Sequence, residues 1–329
     1  MKRKTARRSP LVTFSAWAAA IGAVALWAQS PVLGGQSPGR SAIAPDRASV
    51  AALLGADPGT YVVTNGKLER AGEDADVPVL VQADARRGTD RRVRVPLAIS
   101  GEFPQDWTMH IRIVRVDAAP GRGKPVEESV SGAAGQVRAI REFMLEPGNY
   151  ETAVALARQA GRRRWIGTVV RHSMSVPDVW AGPIAAAPVV LGDGVAAARP
   201  EEGERPFVFG PTRLTPAIGN RFKQDGDLHF ALRVYNWKAD ESAKPELTLE
   251  FVFYQQMGDR LRFFNKLKPQ AINAGTLGAT FDGKSRAVAA GMSVPLASFP
   301  PGEFELSVRI LDVRTRASVT QKVRFFVSA

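Results

Sequence analysis

The stretch Leu145–Leu156 reads "LEPGNYETAVAL", and Phe299–Ile310 reads "FPPGEFELSVRI". Both follow one template: a large apolar residue, a variable residue, Pro-Gly, another variable residue, an aromatic residue, then Glu and alternating apolar positions. Such alternation is typical of a half-buried β-strand. The repeat therefore predicts two copies of one β-fold, each with the same turn ahead of a late strand.

The chemistry of the two turns supports this interpretation. Proline fixes φ and glycine accepts a positive φ, so Pro147-Gly148 and Pro301-Gly302 suit a tight turn that crosses between two sheets. The aromatic residue two positions later is then expected to point into the core. Tyr150 has a hydroxyl that can donate to upstream backbone, as in the tyrosine corner of immunoglobulin-like folds, whereas Phe304 can contribute only its ring.

Period-two runs such as "VRVPLAIS" (Val93–Ser100) and "DLHFALRVYNW" (Asp227–Trp237) dominate the chain after residue 60. They predict an all-β protein of two tandem immunoglobulin-like or fibronectin-like β-sandwiches, residues 57–177 and 205–329. Residues 178–204 are rich in Pro and Ala and are predicted to form a connector with one strand at Pro188–Leu191. A connector of this composition predicts few contacts between the sandwiches.

The N-terminus has the layout of a secretory signal peptide, assigned to residues 1–28. Five Lys/Arg precede an uncharged apolar run, Leu11–Ala28, and a small, turn-rich segment follows. A retained membrane anchor is the alternative, because 18 apolar residues is the lower limit for crossing a bilayer. The signal peptide predicts a periplasmic or extracellular protein.

Residues 29–56 are predicted to be a linker that ends in a short helix. Asp46 is placed as the N-cap, Val50, Leu53 and Leu54 fall on one face, and Gly55 ends the helix.

Composition excludes several function classes. The chain has no cysteine, which rules out disulfides, thiolate nucleophiles, Cys-zinc sites and a lipid-modified N-terminus. The net charge is +12, and removing the five Lys/Arg of residues 1–28, which hold no acid, leaves +7. That excess suits an envelope protein near anionic polymers and does not by itself predict a nucleic-acid partner.

No catalytic, cofactor or metal site is predicted, and the chain is interpreted as a non-enzyme. His110, His172 and His229 lie in predicted strands without metal-ligand spacing, and G-x-S-x-G, P-loop and G-x-G-x-x-G motifs are absent. Asp225 and Asp227, and an acidic run at 73–76, are candidates for calcium, but neither supplies enough ligands alone, and turn chemistry accounts for the Asp-Gly pair fully.

Basic turns and tryptophans supply the candidate ligand contacts. "ARRGTDRRVRV" holds five arginines, and "GRRRW" places Arg162, Arg163 and Arg164 beside Trp165. Such turns suit anionic ligands, or they keep sheet edges from pairing. Trp165 and Trp237 are candidates for a sugar-stacking platform, with core packing as the alternative.

The segment "NRFKQDGDLHFALRVYNW" (Asn220–Trp237), together with "VPLASFPPGEFELSVRILDVRTRASVTQKVRFFV", resembles the C-terminal β-sandwich regions of secreted acidobacterial proteins that accompany von Willebrand A-related or GWxTD domains. The match covers about residues 205–329. This chain lacks the D-x-S-x-S metal motif and GWxTD, so neither role is carried over. The resemblance implies a secreted, non-catalytic accessory or interaction module.

The chain is therefore expected to be a non-catalytic secreted or periplasmic protein that acts by binding another protein of the cell envelope. A carbohydrate-binding protein is the alternative, and a polysaccharide-active enzyme comes third. The predicted partner is an envelope protein or an anionic envelope polymer, with no nucleic acid, and with a membrane only if the N-terminal segment is retained.

Overall fold

The protein is described from a computed structural model that covers residues 45–71, 79–103, 106–118, 124–132, 134–199, 202, 205–241, 243–277, 281 and 287–329. Within these residues the chain forms one helix, α1 (Arg47–Gly55), and 22 strands in four sheets. The predicted all-β class is confirmed. The predicted signal peptide lies outside the described residues.

The first sandwich packs a sheet of order β2-β1-β10-β9-β6-β7 against a sheet in which β5 pairs with β3, β4 and β8. Its strands are β1 (Gly59–Thr64), β2 (Lys67–Arg70), β3 (Val79–Ala83), β4 (Arg86–Arg87), β5 (Val93–Phe103), β6 (Trp107–Arg115), β7 (Val126–Gly132), β8 (Gly135–Leu145), β9 (Gly148–Gly161) and β10 (Arg164–Val176).

The second sandwich packs a sheet of order β11-β16-β12-β14-β13, with β20 on β16, against a sheet of order β15-β22-β21-β17-β18, with β19 on β17. Its strands are β11 (Ala185–Ala186), β12 (Val190–Ala197), β13 (Val208–Phe209), β14 (Thr212–Pro216), β15 (Arg221–Lys223), β16 (Asp227–Tyr235), β17 (Leu247–Met257), β18 (Arg260–Lys266), β19 (Gln270–Ile272), β20 (Ala287–Pro295), β21 (Gly302–Asp312) and β22 (Ser318–Ser328).

Seven strands have the same order in both sandwiches. In the first, β3, β5 and β8 share one sheet and β6, β7, β9 and β10 share the other. In the second, β12, β16 and β20 correspond to the first set, and β17, β18, β21 and β22 to the second. The two copies therefore share a topology, which places each Pro-Gly turn before the last hairpin of its sandwich.

The corner residues occupy equivalent positions in the two copies. Gly148 has φ +155° and Gly302 φ +147°, where glycine is favoured. Tyr150 lies opposite Met174, and Phe304 lies opposite Phe325, each two residues beyond its glycine. The predicted turn geometry is thus present at both sites.

The two corner aromatics are held differently. The Tyr150 hydroxyl donates to the backbone oxygen of Glu146 at 2.8 Å, which is the hydrogen bond expected of a tyrosine corner. Phe304 is fully buried, and its ring centroid lies 5.2 Å from that of Phe299 and 5.6 Å from that of Phe325. Ring packing is common to both copies, and the hydrogen bond belongs to the first alone.

The boundary of the second sandwich differs from the prediction. Within the predicted connector, residues 178–204, β12 pairs with both β14 and β16 and so belongs to the second sandwich. The register shifts between Gly192 and Gly194, which breaks the period-two pattern in the sequence. The strand expected at Pro188–Leu191 exists, but it begins at Val190 and runs on to Ala197.

The expectation of few contacts between the sandwiches is wrong. The sheet of β5 packs its outward face on the outward face of the β12-β16 sheet, burying Ala98 with Val190, Phe207 and Ala231. Polar groups are matched across this surface: the Gln82 side chain bonds both backbone groups of Leu191, at 3.0 and 2.6 Å. Ala98 and Ala231 alternate with the core residues of their strands and so lie on the faces that meet at this surface.

Candidate binding site at the β9–β10 hairpin

The three consecutive arginines form the tip of the longest hairpin in the first sandwich. Strands β9 and β10 pair from Gly148 opposite Val176 to Gly161 opposite Arg164. Arg162 and Arg163 make a two-residue turn, and Arg163 has φ +60°. A register shift between Arg164 and Trp165 follows immediately. A short turn on long paired strands holds these backbone positions in place.

Trp165 is buried beneath the helix. Its residue surface is 4% exposed, and it packs with Leu53 and Leu54 of α1 and with Val63 of β1. The helix approaches so closely that a Cβ on Gly167 would lie 2.6 Å from Leu53 Cδ2. The indole therefore anchors the helix to the hairpin. The prediction that Trp165 contacts a ligand is wrong, because its side chain is buried in the core.

The helix itself forms as predicted and is fastened at both ends. Asp46 caps it by accepting from the Ser49 backbone N–H at 2.9 Å. At the other end, the Arg171 guanidinium donates to the Ala56 backbone oxygen from Nε at 3.1 Å and from Nη2 at 2.9 Å, and it pairs with Glu151. The base of the hairpin is thus a fixed support for its tip.

The side chains of Arg162, Arg163 and Arg164 are exposed, and among the described residues none of them forms an ion pair or a side-chain hydrogen bond. Arg164 lies opposite Thr64, which in turn lies opposite Lys67, so Lys67 extends the positive row along the same face of three adjacent strands. The tip therefore presents four cationic side chains to solvent.

Guanidinium groups have a planar fork of donors that matches carboxylate and phosphate oxygens two at a time. A rigid turn with three unpaired guanidinium groups therefore suits an anionic surface or polymer.

The other arginine-rich turn is built differently. Arg86 and Arg94 both contact Glu142, Arg86 at 2.5 Å and Arg94 at 3.4 Å. Arg87 donates to the Val179 backbone oxygen at 3.0 Å, and its guanidinium carbon lies 4.9 Å from the Trp180 ring centroid. These three arginines support the fold, and only Arg91 and Arg92 of this turn are exposed. The hairpin tip, with three exposed arginines, is the better candidate for a ligand.

Trp237 is also buried. Its residue surface is 7% exposed, and it belongs to the core of the second sandwich, with its ring centroid 6.2 Å from that of Phe281. The predicted ligand contact at Trp237 is therefore corrected to core packing. Neither tryptophan offers an exposed face on which a sugar could stack.

The histidines lie in strands, as predicted, and are partly or fully covered. His110 Nδ1 lies 2.7 Å from Ser129 Oγ, and His229 Nδ1 lies 2.6 Å from Ser293 Oγ. Burial lowers the pKa of His110, His172 and His229 below that of a solvated histidine. Across the described ranges no three His, Asp or Glu side chains gather as a metal site would require, and the acidic run at 73–76 lies outside those ranges.

Two groups of residues were missed by the sequence analysis. One is the polar set between the sandwiches, which includes Gln82, Asp84 and Arg233 and has no sequence signal because its members are far apart in the chain. The other is strand β18, where the alternation Arg-Leu-Arg-Phe at 260–263 was a usable signal for a two-faced strand.

In the part of the chain that the structure describes, no helix is long and apolar enough to cross a membrane.

No protein-family model matches the chain, and no curated protein matches it. Among solved structures it is similar to a mutant of Salmonella alpha-2-macroglobulin, with 11% identity and a TM-score of 0.25, over 83% of this chain and 18% of that one. The Salmonella protein reacted with methylamine gives 11% identity and a TM-score of 0.23, over 83% and 19%. Native E. coli alpha-2-macroglobulin gives 9% identity and a TM-score of 0.24, over 83% and 18%. The chain thus spans less than a fifth of each of these structures.

Proposed function

We propose that this chain is a non-catalytic binding protein of the cell envelope, secreted or periplasmic, that recognises an acidic surface of another envelope protein. The observation that carries the proposal is the hairpin tip: three exposed, unpaired arginines, Arg162 to Arg164, on a turn anchored by the buried Trp165. Charged groups on a rigid support raise the rate and specificity of association with a surface of opposite charge.

A carbohydrate-binding role is the second candidate. The burial of both candidate tryptophans argues against neutral glycans as the ligand. A neutral glycan is normally held by stacking on an exposed aromatic ring, which neither Trp165 nor Trp237 offers. An anionic envelope polymer remains compatible with the arginine tip, because carboxylate and phosphate groups need no such ring.

The test places a photo-crosslinking amino acid at position 163 and irradiates the native envelope. The matched control is Arg316, an exposed arginine at φ +62° in the β21–β22 turn of the second sandwich. The proposal expects one discrete protein adduct from position 163 and none from position 316. The adduct should be lost when Arg162 and Arg164, on either side of the crosslinking residue, are both changed to Glu.

A glycan array separates the two candidates. Binding of anionic glycans that disappears when Arg162, Arg163 and Arg164 are all changed to Glu, with no protein adduct, would replace the protein-partner proposal by the polymer one. Unchanged adducts from position 163 when Arg162 and Arg164 are both Glu would refute a role for the tip altogether.

A further inference from the structure

Strand β18 forms one end of its sheet. It pairs with β17 along one side, from Met257 opposite Arg260 to Val252 opposite Lys266. In the described part of the chain no strand pairs with its other side. An open edge of this kind is a template for an added strand unless the protein protects it.

The two faces of β18 carry different chemistry. Leu261 and Phe263 point away from the core and lie opposite Gln256 and Tyr254, and they are 38% and 66% exposed. Arg260 and Arg262 alternate with them and so point to the other face. Both arginines are exposed, and the described residues supply neither with an ion pair or a side-chain hydrogen bond.

The hydrogen-bonding pattern of the hairpin determines which backbone groups of β18 face its open edge. A two-residue turn, Gly258-Asp259, joins the strands, and such a turn is closed by a hydrogen-bonded pair, here Met257 and Arg260. Hydrogen-bonded and non-hydrogen-bonded pairs alternate in an antiparallel ladder. The N–H and C=O groups of Leu261 and Phe263 therefore face outward, available to another strand.

We propose that β18 binds an extended segment of a partner protein as an added strand, and that this segment alternates acidic and apolar residues. Side chains of an added strand also alternate between the two faces, so its acidic residues would lie beside Arg260 and Arg262 while its apolar residues cover Leu261 and Phe263. This surface is separate from the arginine tip, and the inference does not depend on the function proposed for that tip.

Charge argues against three candidate occupants from the chain itself. Two antiparallel copies of β18 would bring Arg260 and Arg262 of both together, and like charges across a ladder are destabilising. The chain's first 44 residues contain no acidic residue. The equivalent edge, β7, is acidic, but its Glu127 and Glu128 are already paired, with Arg112 at 2.7 Å and an arginine of β8 at 2.9 Å.

The experiment measures binding of a fluorescent peptide, Glu-Ile-Glu-Ile-Glu-Ile-Glu, to the full chain by anisotropy. Three control peptides carry Lys in place of Glu, the same residues in blocks instead of alternation, or N-methyl groups on alternate backbone nitrogens. The proposal expects binding of the alternating peptide and a loss of at least about tenfold for every control, since each removes charge, register or backbone hydrogen bonds.

Protein variants locate the site. Arg262→Glu and Phe263→Thr should each weaken binding by about tenfold, the effect typical of a central contact. Both changes are at exposed positions of an edge strand, so the variants should fold. Far-UV circular dichroism is the measurement that checks this. Arg316→Glu, at an exposed arginine in the β21–β22 turn of the same sandwich, should leave peptide affinity unchanged.

Three results would overturn the inference. Equal binding of the block and alternating peptides would show attraction by charge alone. Full affinity in both β18 variants would place the peptide elsewhere. Concentration-dependent dimerisation that Phe263→Thr abolishes would make a second copy the occupant. None of these results bears on the crosslinking from position 163, so the two proposals succeed or fail separately.

Discussion

Replacing Asp84 with Ala should lower the free energy of unfolding by about 3–5 kcal/mol, because it removes one partner of a buried ion pair. Asp84 follows β3 in the first sandwich, and its side chain is fully buried. Arg233, from β16 of the second sandwich, is 11% exposed, and its Nε lies 3.2 Å from both carboxylate oxygens. The pair therefore spans the two sandwiches in a site that water barely reaches.

The magnitude follows from what remains after the substitution. Arg233 would keep its bond to the Val208 backbone oxygen and its position 4.7 Å from the Phe209 ring centroid, but neither neutralises a full charge. The Ala85 backbone N–H, which now donates to Asp84 at 2.8 Å, would also lose its acceptor. Replacing both partners by apolar residues of similar size, Asp84→Leu with Arg233→Met, should recover most of the loss, because neither charge of the pair is then left buried alone.

The assay is urea unfolding of the full chain followed by tryptophan fluorescence, with the double variant completing a mutant cycle. Asp193→Ala is the matched control, since Asp193 pairs with Arg138 across the same interface but both side chains are about one-third exposed. It should cost no more than about 1 kcal/mol. Wild-type protein should unfold in a single transition. A loss below about 1 kcal/mol for Asp84→Ala, or two separate wild-type transitions, would refute a tightly coupled interface.

Tyr150→Phe should lower the unfolding free energy by about 1 kcal/mol through loss of the bond to Glu146, and a crystal structure should show an otherwise unchanged turn. Arg171→Gln should cost about 1–2 kcal/mol, since the charge-assisted bonds to Ala56 are lost, and hydrogen exchange should show earlier opening of the helix. Stability should fall as the pH drops below about 6.5, because burial lowers the histidine pKa values and the unfolded chain then binds more protons. His110→Gln should reduce this slope in urea titrations at several pH values, and an unchanged slope would contradict it.

The strands and the two turns were open to prediction because both depend on local patterns. Tyr150 and Phe304 repeat the same spacing from a Pro-Gly pair, and alternation of apolar residues marks each buried face. The helix N-cap at Asp46 was predictable for the same reason, since capping involves residues three apart. The extension of β12 to Ala197 was not, because small residues and a β-bulge between Gly192 and Gly194 hide its alternation.

The sequence predicted the arginines of the candidate site correctly but not the position of Trp165. Three consecutive arginines at the tip of a hairpin are expected to be exposed, because a charged side chain is rarely buried without a partner. Their exposure therefore followed from the sequence. Trp165 is the next residue, yet it is buried, because the adjacent position of a strand points to the opposite face and the helix covers that face. The sequence showed that a tryptophan adjoined the arginines, but it could not show that a helix more than 100 residues earlier in the chain would cover it.

Local patterns in the amino-acid sequence predict the all-β class, the two copies, the corner turns and the arginine tip. The folded chain adds that the sandwiches pack back to back through Ala98 and Ala231, that Asp84 meets Arg233, and that β18 is an open edge among the described residues. The physical reason is that alternation records whether a strand face is buried and carries no information about what buries it. Contacts between distant strands depend on which surfaces fit together once each sandwich has formed.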